Sequence, residues 1–245
     1  MKGNDRAPGP RPFAPNLGGG SAPPRAVVAS VSGLAKLAIL ADDQLLFEPG
    51  TKYEYSSYGY NLIGVVVEGA SGKDFLAYLD EHVLRPLGMA RTTADRNAPV
   101  IEGRTRFYFY DRKDDRFHNA PYVDSSYKWP SGGFLSTAED LVRFGLAHCK
   151  PGFFTRETLD LLLTPQALPS GEPSGTASFG VGFGWRIGKD ARGARILHHG
   201  DTTEGGRAFL FVRPEDGVAV ALLSNNVGGF GEGEAGKIAA MFGRR

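Results

Sequence analysis

The chain has 245 residues, enough for one sizeable domain, and its 28 basic and 27 acidic residues nearly cancel. No basic run marks a surface for nucleic acid or an anionic membrane, and no apolar run approaches the ~20 residues that span a bilayer. A single cysteine, Cys149, excludes an internal disulfide and a multi-cysteine metal site, and the 34 glycines favour tight turns over a plain helical bundle.

Residues 1–25 are dominated by proline and glycine and hold few large apolar groups, so they read as a disordered tail ahead of a domain over 26–245. Met1 to Asn16 has no apolar core of signal-peptide type, and the compartment stays unread. Ala26 to Leu40 carries Val28, Val31, Leu34, Leu37 and Leu40 at spacings of three and predicts a short helix. After the Pro49-Gly50 turn, Leu62, Ile63, Val66 and Val67 predict a helix from Tyr55, broken at Ser71-Gly72. Phe75, Leu76, Leu79, Val83 and Leu84 predict a second amphipathic helix that ends at Pro86.

Pro99 to Trp129 is irregular, with a short strand expected at Arg106 to Tyr110. Ser136 and Glu139 have the spacing of a capping box ahead of a helix through Leu141, Phe144 and Leu146, and Phe154 to Leu163 predicts another helix. Strands are then expected at Phe179–Ile187, Ala194–His198, Gly206–Val212 and Val218–Leu223, the last two joined by the Pro214–Gly217 turn. A closing helix is expected at Glu234–Phe242. Helices followed by an antiparallel sheet and a final helix indicate the α+β class.

Several segments, taken in order, resemble the serine β-lactamase-like family, which includes class C β-lactamases, esterases of the same fold and penicillin-binding D-Ala-D-Ala peptidases. They are Phe47–Thr51, Tyr55-Ser56-Ser57, Arg85–Met89, Gly132–Thr137, Gly180–Trp185, His198-His199-Gly200 and Leu223–Asn225. The run Tyr122–Trp129 looks closest to the branch with the mitochondrial serine β-lactamase-like protein. The resemblance implies the C-terminal part of a β-lactamase/transpeptidase-like fold, an antiparallel sheet with packed helices and a helical region.

Acyl transfer needs a nucleophile, a group that takes its proton, oxyanion donors and a wall for the substrate. By resemblance, Tyr55 is the general base, Ser57 stands where the family has asparagine in Tyr-x-Asn, and His198 stands where β-lactamases carry the lysine of Lys-Thr-Gly, as cation or donor. His199, Gly200, Gly132 and Gly133 would line the substrate. Adjacent strand residues face opposite ways, so at most one of the two histidines faces the site. Their bland roles are core or surface residues, as expected for His82, His118 and His148. No metal or organic cofactor is implied; the partner is a small-molecule or peptide substrate.

The family's Ser-x-x-Lys has one literal match, Ser125-Ser-Tyr-Lys128, in a stretch that Trp129-Pro130 would break as a helix; Ser32 and Lys36 are four apart. The expectation is a β-lactamase-related hydrolase sequence without its nucleophile segment, a truncated or mis-started reading. The alternative is a non-catalytic binding or assembly protein on the same fold.

Overall fold

The computed structural model describes residues 44–242. The expected tail, the helix expected at 26–40 and Ser32 lie outside the described residues.

Helix α1 (Ser57–Ser71) starts where Ser56, in extended backbone, accepts a hydrogen bond from the Gly59 N–H at 3.1 Å. It stops at Gly72, whose φ of 67° lets its N–H turn back to the Glu68 carbonyl. The expected apolar stripe is not the buried one. Asn61 and Gly64 are buried, whereas Ile63 is 55% and Val66 67% exposed. Gly64 lies against Pro130 of the 3₁₀ turn Trp129–Ser131: a Cβ there would fall 2.2 Å from Pro130 Cγ. The bare backbone at Gly64 lying on the Pro130 ring, rather than interdigitation of large apolar side chains, seats this helix.

Helix α2 (Phe75–Leu79) is capped by Asp74 and runs into a π-helical turn at Asp80–Leu84 before Pro86, as the apolar spacing predicts. Short strands β1 (Thr93–Ala94) and β4 (Phe134–Leu135) pair antiparallel. The strand expected at Arg106 to Tyr110 is β2 (Tyr108–Asp111), and it forms a hairpin with β3 (Arg116–Asn119). That second strand is exposed throughout, so no burial pattern marks it in the sequence.

Helix α3 (Ala138–Leu146) begins one residue later than the capping-box spacing suggests. Thr137 Oγ1 accepts the Asp140 N–H at 3.2 Å, while Ser136 is bonded to Thr92 at 2.7 Å. Tertiary contact thus draws Ser136 away from the cap. Asp140 itself is buried and accepts from Arg91 N (2.8 Å), Thr92 Oγ1 (2.9 Å) and Arg143 (3.0 Å), fastening α3 to the loop before β1. Helix α4 (Arg156–Leu162) follows, capped by Thr155.

The continuous strand expected at Phe179–Ile187 is instead a tight hairpin of β5 (Gly180–Val181) and β6 (Arg186–Lys189). Gly184 turns it with φ 80°, and Gly182 abuts the Leu162 carbonyl so closely that a Cβ would lie 2.6 Å from it. Strands β7 (Arg195–Thr203), β8 (Gly206–Arg213) and β9 (Val218–Ser224) complete an antiparallel sheet in the order β5-β6-β7-β8-β9. Helix α5 (Glu232–Ala240) starts and ends two residues before the expected bounds, because Glu234 accepts the Gly231 N–H at 3.0 Å.

Both faces of this sheet are covered. Leu197, Leu210 and Val212 meet Leu163, Trp185 and Ile187 on one side, where Leu141 and Phe144 of α3 also pack. Ile196, Phe209, Phe211 and Val220 meet Ala235 and Ala239 of α5 on the other. Buried Arg213 donates to the Ala239 carbonyl at 3.0 Å and pairs with Asp216, tying the C-terminal end of α5 to β8.

Candidate functional site

Tyr55 lies in the extended segment just before α1, and it is 41% exposed. Its ring is 6.3 Å from that of Tyr60 and 6.4 Å from that of His199, and the Arg186 guanidinium stands 5.9 Å from its centroid. One turn of α1, the start of β6 and the middle of β7 therefore converge on one phenol. Ser57, the first residue of α1, is exposed, and Ser56 rather than Ser57 provides the cap.

The register of β7 separates the two histidines. His198 pairs with Phe211 and His199 with Leu210, so their side chains leave opposite faces. His199 faces Tyr55. Its Nδ1 is 2.6 Å from the Gly184 carbonyl, which can only accept, so Nδ1 carries a proton. His198 is 6% exposed on the α5 face, stacked on Phe209 at 5.6 Å and edge-on to Phe179 at 6.0 Å. Burial, with the nearby charge of Arg186 second, lowers its pKa to about 4. It is neutral at physiological pH, and the cation expected at this position is absent from its ring. Its Nε2 lies 3.6 Å from the exposed Glu232 carboxylate, and its Nδ1 has no partner among the described residues.

The glycines serve close packing. A Cβ on Gly200 would lie 2.4 Å from Phe209 Cδ2, so the ring already fills the space beside that backbone. Gly133, at φ 78°, would place a Cβ 2.6 Å from that of Ser125, and Gly132 lies beside the Asp201 carboxylate. This glycine pair brings the 130s loop against β7 and so reaches the site's margin through Asp201.

Two hollows adjoin this arrangement. A pocket of about 280 Å³ is bounded by Tyr55, Arg186, Gly200, Asp201 and Arg207. A larger cleft of about 960 Å³ lies beyond it, lined by Ser125, Lys128, Gly133, Arg104 and Asn225 among others, and it shares Asp201 and Arg207 with the smaller one. Tyr55 lines the smaller pocket and not the cleft.

Ser125 is buried, and its carbonyl accepts the Lys128 N–H at 3.1 Å in a turn that precedes the 3₁₀ segment. No hydrogen bond joins the Ser125 and Lys128 side chains, and the pair does not lie on a helix as the family's nucleophile chemistry requires. Three potential metal ligands, Asp111, Asp114 and His118, cluster on the β2–β3 hairpin, but two of them are exposed, and Asp111 already accepts the Lys113 N–H. His148 is buried among Phe144, Phe154 and Trp185, with its pKa lowered by burial, which makes it a core residue.

Sequence reasoning missed Arg186 and Arg207. Each directly follows a glycine-containing motif, Gly180–Trp185 and Gly205-Gly206, and that adjacency was the available signal.

The profile described as Beta-lactamase matches residues 12–242. The chain is 34% identical over 213 residues to the mitochondrial serine beta-lactamase-like protein LACTB of Bos taurus, covering 78% of this chain and 38% of the relative. It thus spans about two fifths of the length of the curated relatives it matches. Among solved structures, a penicillin binding protein from Bacillus halodurans superposes with a TM-score of 0.67 at 22% identity, over 80% of this chain and 59% of that one. A D-stereospecific amidohydrolase from Streptomyces sp. does so with a TM-score of 0.65 at 21% identity, over 77% and 55%.

Proposed function

This chain belongs to the β-lactamase family, and from that premise we propose that it carries the proton-handling and substrate-wall portion of an acyl-serine hydrolase acting on ester, peptide or β-lactam-type bonds. In this reading the nucleophilic serine belongs to a Ser-x-x-Lys helix, and the one literal match in the sequence, Ser125 to Lys128, does not lie on a helix. The observation that supports this reading is the placement of Tyr55, half-exposed at the rim of a pocket and flanked by Arg186 and His199.

In this reading a serine Oγ attacks the substrate carbonyl carbon while Tyr55, as the general base, takes its proton. The proton then passes to the leaving group as the acyl–serine bond forms, and water later hydrolyses that bond. Ser57 offers one hydroxyl hydrogen bond where an asparagine would offer an amide. His198 is neutral and buried on the face of β7 opposite His199, so of the two histidines His199 is the one beside Tyr55. His199, Gly200, Gly132 and Gly133 frame the substrate side.

The test is intact-mass analysis of the full chain after exposure to a fluorophosphonate, with circular dichroism to establish folding. A folded chain with no stoichiometric adduct is the expected result. A stoichiometric adduct mapped to Ser32 or Ser125 would overturn the assignment of a missing nucleophile. The second reading, a binding or assembly role, draws on the exposed stripe Leu62, Ile63 and Val66 of α1. It is favoured if Tyr55→Phe changes nothing in an enzyme reconstituted with a Ser-x-x-Lys segment, where an essential base would cost about 10²–10⁴-fold in rate.

A further inference from the structure

The β2–β3 hairpin presents two different faces. Tyr110 stands opposite Phe117 in its register, and their rings pack with centroids 5.2 Å apart. Asp111 stands opposite Arg116 and Phe109 opposite His118, so Asp111 and His118 leave the other face as diagonal neighbours. The chain turns through residues 112–115, where Asp115 takes a left-handed φ of 52° and accepts a hydrogen bond from the Tyr110 hydroxyl. The turn brings Asp114 to the other two: one ligand atom each from Asp111, Asp114 and His118 lies within 4.8 Å of the rest.

Little else engages these three groups. Neither Asp114 nor His118 makes a side-chain hydrogen bond or an ion pair among the described residues. Asp111 uses one oxygen on the Lys113 N–H at 2.7 Å and keeps the second. Arg116, across the ladder from Asp111, forms no ion pair with it, whereas Arg85, Arg143 and Arg195 each hold a carboxylate at 2.5–2.7 Å. Carboxylates this close without a cation repel each other, and a cation held between them and the imidazole removes that repulsion. The donor set selects the ion. One imidazole nitrogen with two carboxylate oxygens suits Zn²⁺, while Mg²⁺ and Ca²⁺ call for shells of oxygen. The exposure of Asp114 and His118 leaves coordination positions open to water, as in zinc sites with three protein ligands.

We infer that Asp111, Asp114 and His118 form a zinc-binding site on the β2–β3 hairpin, separate from the Tyr55 pocket and independent of the acyl-serine reading. The aromatic pair on the opposite face pins the register that sets the ligands together. Phe107, Asn119 and Ala120 at the base of the hairpin line the large cleft. An ion that ties the turn to both strands therefore stiffens one wall of that cleft.

The test titrates Zn²⁺ into the full 245-residue chain, free of any affinity tag, with and without excess Mg²⁺, and follows amide NMR and calorimetry. Zn²⁺ should bind, with shifts centred on residues 108–119, and Mg²⁺ should not displace it. His118→Gln, Asp111→Asn and Asp114→Asn should each weaken Zn²⁺ at least about tenfold, since losing even a group that only orients a metal ligand costs that much. Asp111→Asn keeps an acceptor for the Lys113 N–H, so the turn survives the change, and an unaltered amide spectrum outside the hairpin confirms the fold. His82→Gln, beside Glu81 on the π-helical turn, should leave the affinity as it is. No binding of Zn²⁺, shifts centred elsewhere, displacement by Mg²⁺, or an unchanged affinity in any of the three hairpin variants would overturn the inference.

Discussion

The β7–β9 sheet and helix α1 are built on opposite terms. The sheet is covered on both faces, by α3 and the Leu163–Trp185 side on one and by α5 on the other, with Leu197 and Val212 wholly buried. Helix α1 sits on the 3₁₀ turn through Gly64 and Pro130, and its larger apolar groups face outward. The wall of the site is therefore the rigid partner, while the segment that presents Tyr55 is held by few apolar contacts. The Tyr55 phenol, at the start of a weakly covered helix, is positioned by neighbouring rings and the Arg186 guanidinium, and its segment should tolerate changes on the outer helix face that the sheet would not.

The largest effect that sharpens this contrast is expected at Phe211, nearly fully buried on the α5 face. Phe211→Ala should lower unfolding stability by about 3–5 kcal/mol, read from the midpoint of urea denaturation. A loss under about 1 kcal/mol would mean that the sheet is not the stabilising half.

His198 probes the same face by pH. Its folded pKa of about 4 lies below the unfolded value of ~6.5, so protonation favours the unfolded chain. Its contribution is fully present above pH ~6.5 and is lost as pH falls toward 4, on the order of 3 kcal/mol for a group this buried. His148, also depressed by burial, acts in the same direction. Stability measured against pH should therefore fall less steeply between 6.5 and 4 in His198→Gln. An unchanged slope would show that the imidazole is solvated.

The smallest effect is expected on α1. Ile63→Ser should change stability by no more than about 0.5 kcal/mol, in line with other exposed positions. A larger loss in the full chain would show that another part of the protein covers this stripe.

Much of the fold was legible because local signals agreed with tertiary ones. The Ser71-Gly72 break, the Pro86 stop, the Pro214–Gly217 turn and the two long hairpin strands all stand where local chemistry puts them. Three things were not legible. The capping residue moved from Ser136 to Thr137 because Thr92 competes for the serine hydroxyl. The β5–β6 turn was hidden inside an apolar-looking run that its glycines fold back. Strand β3 carries no burial pattern.

The same division holds for the site. Order and spacing of short motifs determined the family and the class of fold, because those depend on residue type along the chain. Which histidine meets the tyrosine depended on the register of β7 against β8, since a shift of one residue exchanges the two faces. Which cations stand free depended on which carboxylates lie within reach of them, and that is a property of the folded chain alone: Arg213 found two acids, whereas Arg186 and Arg207 found aromatic rings.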